Sequence, residues 1–184
     1  MMFAYQVNGD LSLALPNPEK DAEKLFASIE DSRESMQKWL PWVKDVQSVE
    51  DELKFLKHVN VNFGKGESLN VAIWWKQQPV GMISFNHIKK ANMSADIGYW
   101  LARKARGQGV MHQALLGMVD IGFKDYGLNR LEIEAAVGND GSNHVAQKAG
   151  FKLDGTLRAN IRLLDGQYHD HNLYSLLRSE WHQF

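Results

Sequence analysis

From Arg103 to His112 the chain reads Arg-Lys-Ala-Arg-Gly-Gln-Gly-Val-Met-His, with three cations and two glycines in one short segment. A strand-like run ends near Leu101 and a helical pattern starts near Val110, so the segment is a strand-to-helix loop. Glycines let a backbone approach a ligand closely, and the free N–H groups and dipole of a helix's first turn attract anions. Arg103, Lys104 and Arg106 add positive charge at the same place. A diphosphate is the ligand this arrangement suits; the alternative is a glycine-assisted turn with a solvated basic rim. The sequence has no G-x-x-x-x-G-K-[ST], and Gly107-x-Gly109 lacks the third glycine of a dinucleotide fingerprint. The strands before the loop read as antiparallel rather than as a βαβ unit, which disfavours NAD and ATP.

Other residue types bear on proton transfer. Glu132 and Glu134 alternate on one face of the strand before Asn139, and Asp96 opens the strand that carries Tyr99. A carboxylate on a strand inside a cleft is a candidate base; ion pairing or a solvated face is the commoner explanation for such residues. His169-Asp170-His171 puts two imidazoles at i and i+2, too few ligands for a zinc site, so no metal is expected. His112 and His144 flank the loop and the later short helix. Trp39-Leu40-Pro41-Trp42 concentrates two indoles at a break between helices, either as hydrophobic packing or as the wall of a substrate pocket.

The elements that hold these groups follow from periodicity and punctuation. Leu11 to Leu15 alternates as a short strand, and Asn17-Pro18 offers a cap and an N1 proline for a helix buried through Leu25, Phe26 and Ile29. A second helix is expected from about Ser32 to Leu40, where Pro41 ends it. Ser48 and Asp51 have capping-box spacing, and Val49, Leu53, Leu56, Val59 and Phe63 recur at helical spacing up to Gly64-Lys65-Gly66. Leu69–Trp75, Val80–Ile88 and Asp96–Leu101 then suggest an antiparallel meander turning at Gln77-Gln78 and around Lys89 to Asn92. Val110 to about Tyr126 reads as a helix ended by Gly127, and Leu131, Ile133, Ala135 and Val137 as a strand that this crossover makes parallel to its predecessor. A short helix from Ser142 to Ala149, capped by Gly150, precedes a hairpin turning at Asp165-Gly166, a type I′ pair.

With 184 residues, 44% hydrophobic and 23% charged, the chain is long and apolar enough to bury a core and is not disordered. No linker or repeat interrupts it, so residues 1–184 read as one domain. A net charge of −1 gives no pull toward nucleic acid or an anionic membrane. The absence of cysteine removes disulfides and thiolate chemistry and fits a reducing compartment. The N-terminal stretch shows no signal-peptide pattern and no apolar run spans a bilayer, so a cytoplasmic protein is expected. Six tryptophans, with Trp181 near the C-terminal end, leave room for a homo-oligomeric interface.

Several short segments, in their order and spacing, resemble the GNAT superfamily of N-acetyltransferases and its RimJ/RimL branch, which acetylates N-terminal amines of ribosomal proteins. They are Trp39-Leu40-Pro41-Trp42, Gly81-Met82-Ile83, Ile97-Gly98-Tyr99-Trp100-Leu101, Arg106-Gly107-Gln108-Gly109, Asn129-Arg130-Leu131, Asn139-x-x-Ser142, Lys148-Ala149-Gly150-Phe151 and Tyr174-Ser175-Leu176-Leu177. The resemblance implies an α/β (α+β) fold, a mixed and mostly antiparallel sheet flanked by helices and splayed at an acetyl-CoA site. The loop signature Q/R-x-x-G-x-G/A begins here at Arg106 and has Met111 in its last place.

By this resemblance Arg106, Gly107, Gln108, Gly109, Val110, Met111 and His112 form the pyrophosphate loop of acetyl-CoA, with the amides from about Gln108 to His112 as donors. Tyr99-Trp100-Leu101 would pair with the pantetheine arm through the main chain, Asn139 would bond its amide, and Lys148 would stand near a phosphate. In the family's N-x-x-S the serine hydroxyl points at the sulfur, which makes Ser142 the hydrogen-bond donor to the leaving thiolate; the alternative is a helix N-cap. The tyrosine that many other acetyltransferases place four residues later is Ala146 here. Relatives in this branch can carry a glutamate where this chain reads Ala159-Asn160-Ile161-Arg162, so the base is sought among Glu132, Glu134 and Asp96, with Glu134 named first, or the reaction uses a water relay or a neutral amine without one. Trp39 and Trp42 would wall the acceptor. The implied activity is acetyl transfer from acetyl-CoA to a primary amine, such as the N-terminus of a ribosomal or other protein. A polyamine or aminoglycoside acceptor is an alternative, as is a CoA-binding sensor without turnover.

Overall fold

Short-range alternation and well-placed breakers build the order β-β-α-α-β-β-β-α-β-α-β-β. The computed structural model describes residues 3–181. Its elements are β1 (Ala4–Gln6), β2 (Leu11–Ala14), α1 (Pro18–Met36), α2 (Val49–Lys65), β3 (Leu69–Trp75), β4 (Gln78–Lys89), β5 (Ser94–Leu101), α3 (Val110–Asp120), β6 (Arg130–Ala136), α4 (Asp140–Lys148), β7 (Lys152–Arg162) and β8 (Tyr168–Leu177). One π-type turn over Ile121–Asp125 extends α3 toward Gly127, which takes φ 64°.

All eight strands join one sheet in the order β1-β2-β3-β4-β5-β6-β8-β7. Neighbours are antiparallel except β5 and β6, as the α3 crossover requires. That one parallel pair is short: Ser94–Asp96 lie opposite Arg130–Glu132, and beyond Asp96 the register ends. Ile97–Leu101 and Ile133–Ala136 therefore diverge, and the sheet opens into the expected splay.

Strand period decides which helices cover which face. Ile97 and Leu101 pack with Val110, Met111, Ala114, Leu115 and Met118 of α3, on the face that α4 also covers. Trp100, Met82 and Ala72 point the other way, into a second cluster with Leu25, Ile29 and Met36 of α1 and Leu56 of α2. Burying these two faces is the main stabilising term, about 1.5–3 kcal/mol for each large aliphatic side chain taken fully out of water.

Four local expectations are corrected. The two helices expected between Pro18 and Leu40 are one helix, α1, followed by a 3₁₀ turn over Pro41–Asp45. Ser32 does not start a helix because its buried hydroxyl is used across the fold, accepting from the Arg103 N–H at 2.9 Å. The α2 stripe turns so that Glu52, Leu56 and Val59 are buried, while Val49 is 39% exposed. The β3–β4 turn is centred on Lys76 and Gln77, at φ 48° and 63°, a type I′ geometry achieved without glycine. In the C-terminal hairpin only Gly166 has positive φ (79°), and Leu163 accepts from the Gly166 N–H while donating to Gln167. This is a three-residue loop with a type I turn and a glycine bulge, so Asp165 is not the first half of a type I′ pair.

Candidate active site

The basic loop folds as a strand-to-helix junction around two left-handed glycines. Gly107 and Gly109 have φ 75° and 76°, and a Cβ on either would touch nothing within 4 Å, so conformation rather than crowding calls for glycine. Gly109 is the cap residue of α3 and offers no side chain, which leaves the first-turn amides free to face a ligand. The loop's cations brace it. Arg106 donates from Nε to the Leu101 carbonyl at 2.9 Å and from Nη1 to Ser35 Oγ at 3.0 Å, tying the loop to α1. Burial and the neighbouring Arg103 depress its pKa. Gln108 folds back onto the Lys104 carbonyl at 2.9 Å.

In front of the loop lies a cleft of about 770 Å³ that runs between the diverging strands. Tyr99, Trp100 and Leu101 form one wall, Ile133 to Ala136 the other, and Arg106, Gly107, Gly109, Val110, Met111 and His112 close one end. Asn139, Ser142, His144 and Lys148 of the α4 region also line the cleft. His112 keeps a buried Nδ1 without a hydrogen-bond partner among the described residues. Burial first, then Lys148 and His144, lower its pKa. An unpaired imidazole nitrogen beside free helix-terminal amides is the chemistry of an anion cradle, and the unpaired edges of β5 and β6 suit an extended, amide-bearing arm. The group that fits is a diphosphate joined to such an arm, as in coenzyme A.

Deeper in the cleft stand the proton-handling side chains. Helix α4 starts at Asp140, with Asn139 as its cap: Asn139 Oδ1 accepts from the Ser142 N–H at 3.2 Å. The Ser142 hydroxyl is thus released from capping, and lies 3.0 Å from the Tyr99 hydroxyl, which also lies 3.1 Å from the Ser142 carbonyl. Burial pushes the Tyr99 phenol up to about 12, so it is a neutral hydrogen-bonding group at physiological pH. Asn143 locks the turn. Its Nδ2 donates to the Ala136 and Asn139 carbonyls at 2.9 and 2.8 Å, and its Oδ1 accepts from Tyr174 and Asn172, both at 2.8 Å.

Glu134 lines the cleft on β6, 45% exposed at its side chain. Its Oε2 accepts from Asn160 Nδ2 at 2.8 Å. Glu132 is occupied elsewhere, with Arg130 at 2.8 Å and Lys89 at 3.4 Å, and Asp96 pairs with Asn86 and His87. Trp39 lines the cleft, its ring 3.4 Å from where a Cβ on Gly138 would stand. Trp42 does not: it packs against Trp100 with ring centres 6.4 Å apart and is 37% exposed. Gln108 is likewise outside the lining. His171 does line the cleft, a placement that sequence reasoning missed. The available signal was strand parity, since His171 lies opposite Ala136 in the β6–β8 register and so shares the face of Glu134. Among the described residues no group of three or more His, Asp or Glu could hold a metal ion, and no helix is long and apolar enough to cross a membrane.

The comparisons agree with this geometry. Residues 10–152 match the family model described as an acetyltransferase (GNAT) domain. The chain is 30% identical to the putative ribosomal N-acetyltransferase YdaF of Bacillus subtilis (strain 168) over 181 residues, 98% of each chain. It is 34% identical to the ribosomal-protein-serine acetyltransferase of Escherichia coli (strain K12) over 157 residues, 85% of this chain and 87% of that one. Among solved structures, RimL, the ribosomal L7/L12 alpha-N-protein acetyltransferase in complex with coenzyme A, superposes with a TM-score of 0.92 at 27% identity, covering 97% of this chain and 100% of the other. The microcin C7 self-immunity acetyltransferase MccE, bound to acetyl-CoA and AMP, gives 0.87 at 30% identity over 93% and 94%. A matching family model over most of the chain, relatives at this identity and a cleft shaped for coenzyme A lead to one conclusion: the chain belongs to the GNAT acetyltransferases and is an acetyl-CoA-dependent N-acetyltransferase.

Proposed function

We propose that the acceptor is the N-terminal α-amine of a protein, that Ser142 assists the leaving sulfur and that Glu134 takes the amine's proton. The observation that carries the acceptor class is the charge of the cleft. Glu134 is the one carboxylate among the described residues that line it, beside cationic Lys38, Arg106 and Lys148. One carboxylate matches one ammonium, whereas a polyamine or aminoglycoside would need several acidic groups to replace the water around its several charges. Relatives named a ribosomal-protein-serine acetyltransferase and a ribosomal L7/L12 alpha-N-protein acetyltransferase support the same reading.

Attack of the amine on the thioester carbonyl forms an N–C bond and breaks the C–S bond. The pyrophosphate is held at the amides after Gly109, with His112 and Lys148 close by, and Tyr99 to Leu101 carry the arm along the open strand edge. The sulfur then arrives at the α4 terminus, where Ser142, backed by Tyr99, donates a hydrogen bond to the developing thiolate. On the opposite wall Glu134 accepts a proton from the ammonium. Trp39 and Trp100 exclude water around the reacting atoms, Trp42 acting only through its contact with Trp100. The continuous sheet from β1 to β7 supports reading the chain as one catalytic domain.

Thiol release from acetyl-CoA tests this with three acceptors: a peptide with N-terminal serine, the same peptide N-acetylated beforehand, and spermidine. Release with the free peptide alone is the expected result. Turnover of spermidine without turnover of the peptide refutes the acceptor class.

A further inference from the structure

An acceptor that arrives as an ammonium loses two protons during acetyl transfer: one ends on the leaving sulfur, and the other must leave the site. Glu134 can hold only one, and it has to be ionised again before the next acceptor binds. The structure puts a second proton acceptor beside it.

His171 of β8 is 8% exposed, and its Nδ1 lies 3.5 Å from Glu134 Oε2. Asn160 of β7 bridges the two, with Nδ2 2.8 Å from Glu134 Oε2 and 3.4 Å from His171 Nδ1. Asn160 reaches them because β7 bulges between Leu157 and Ile161, where Ala159 takes φ 49° and donates its N–H to Asp170 Oδ1 at 2.8 Å. A left-handed alanine costs about 1–2 kcal/mol relative to glycine, so the bulge is held by its surroundings. Three strands thus converge on one carboxylate oxygen.

The other charged groups near the pair are accounted for. Glu132, on the same face, is bound to Arg130 and Lys89, and Asp170 holds the Ala159 N–H. The remaining cleft carries the cationic or basic groups Lys38, Arg106, His112, His144 and Lys148. A neutral His171 accepts the Asn160 amide at Nδ1; a protonated one pairs with Glu134 instead. The site therefore has a partner ready for either state.

We propose that His171 is the positioning residue that relieves Glu134 of the acceptor's proton: the ammonium gives a proton to Glu134, the carboxylic acid passes it to His171 Nδ1, and water in the cleft takes it from the imidazole. The proposal rests on Glu134 being the base.

The test measures kcat for the more rapidly acetylated of two amines, an N-terminal-serine peptide and an N-terminal-alanine peptide, from pH 6.5 to 9. An α-amine titrates near 7.7–8.0, so it needs a base at the lower end and none for its first proton at the upper end. Glu134→Gln is expected to lower kcat at pH 6.5 by about 10²-fold or more, narrowing by pH 9. His171→Leu is expected to lose about 10-fold at pH 6.5 with the same narrowing and an unchanged KM for acetyl-CoA. His171→Asn keeps a polar atom beside Asn160 but cannot take the proton, and should behave like His171→Leu. No thiol release by the wild type with either peptide overturns the acceptor and base readings together with the relay. Full activity in Glu134→Gln overturns the base and the relay. An impaired Glu134→Gln beside an active His171→Leu, a pH-independent loss in His171→Leu, or rescue by His171→Asn overturns the relay alone.

Discussion

Glu52 is a carboxyl that helix α2 carries into the apolar layer under α1, and removing its charge should stabilise the protein. The residue is 1% exposed, on the same stripe as Leu56 and Val59, and its Oε1 has no hydrogen-bond partner among the described residues. Burial alone pushes its pKa up to about 7 from the ordinary 4.5. Below pH 4.5 the group is protonated in both folded and unfolded chains and has no effect on the pH dependence. Between 4.5 and 7 the unfolded chain has released its proton and the folded chain still holds it, so stability falls as pH rises. A shift of that size corresponds to about 3 kcal/mol, lost progressively up to pH 7 and constant above it. Glu52→Gln has nearly the same shape and no charge to desolvate. It should raise the melting temperature at pH 7.5 by about 6–12 °C, at 2–4 °C per kcal/mol for a chain of this size, less what an imperfectly bonded amide costs. At pH 4.5 the two proteins should melt within about 2 °C of each other. Thermal unfolding followed by circular dichroism from pH 4.5 to 8 measures both. Parallel melting curves at every pH, with no convergence on acidification, would refute the argument.

Three further outcomes follow from the site. Ser142→Ala should reduce kcat by about 10²-fold while leaving the thermal shift caused by acetyl-CoA intact, and Tyr99→Phe should cost a few-fold, the worth of one neutral hydrogen bond of about 1 kcal/mol; equal loss of acetyl-CoA binding in Ser142→Ala would remove its specific role. Gly109→Ala forces a side chain into φ 76° and should destabilise the protein by about 1–2 kcal/mol and weaken acetyl-CoA binding, both read by melting with and without the ligand. Burial holds the His112 pKa below 6.5, and a bound diphosphate would raise it, so binding takes up a proton and acetyl-CoA affinity should rise as pH falls below about 6.5. Calorimetry in two buffers of different ionisation enthalpy checks this, and His112→Ala should abolish the proton uptake.

What the sequence revealed was whatever a local rule governs. The Ser48 cap is such a case, with its hydroxyl accepting from the Asp51 N–H at 3.2 Å, as is the Gly107–Gly109 loop with both glycines left-handed. The splay between β5 and β6 follows from a parallel pair made by one crossover. The misreadings arise where a distant partner decides. Ser32 looks like a helix start until Arg103 claims its hydroxyl. In the sequence His171 pairs with His169 as an incomplete metal site, yet His169 bonds Asp165 at 2.8 Å while His171 joins Glu134. That junction depends on strand register and on a two-residue bulge in β7, and neither leaves a periodic trace in the chain. Ser142 reads as either cap or donor for the opposite reason: helix α4 begins two residues earlier, so Asn139 takes the cap and the serine hydroxyl meets Tyr99 instead.

Backbone hydrogen exchange with and without acetyl-CoA addresses the central geometric claim most directly, because it reports which amides the ligand covers. New protection is expected in residues 107–112 at the start of α3 and in residues 97–101 along the open edge of β5, with little change in α2 and β1. Protection confined to other elements, or none at saturating acetyl-CoA, would contradict it.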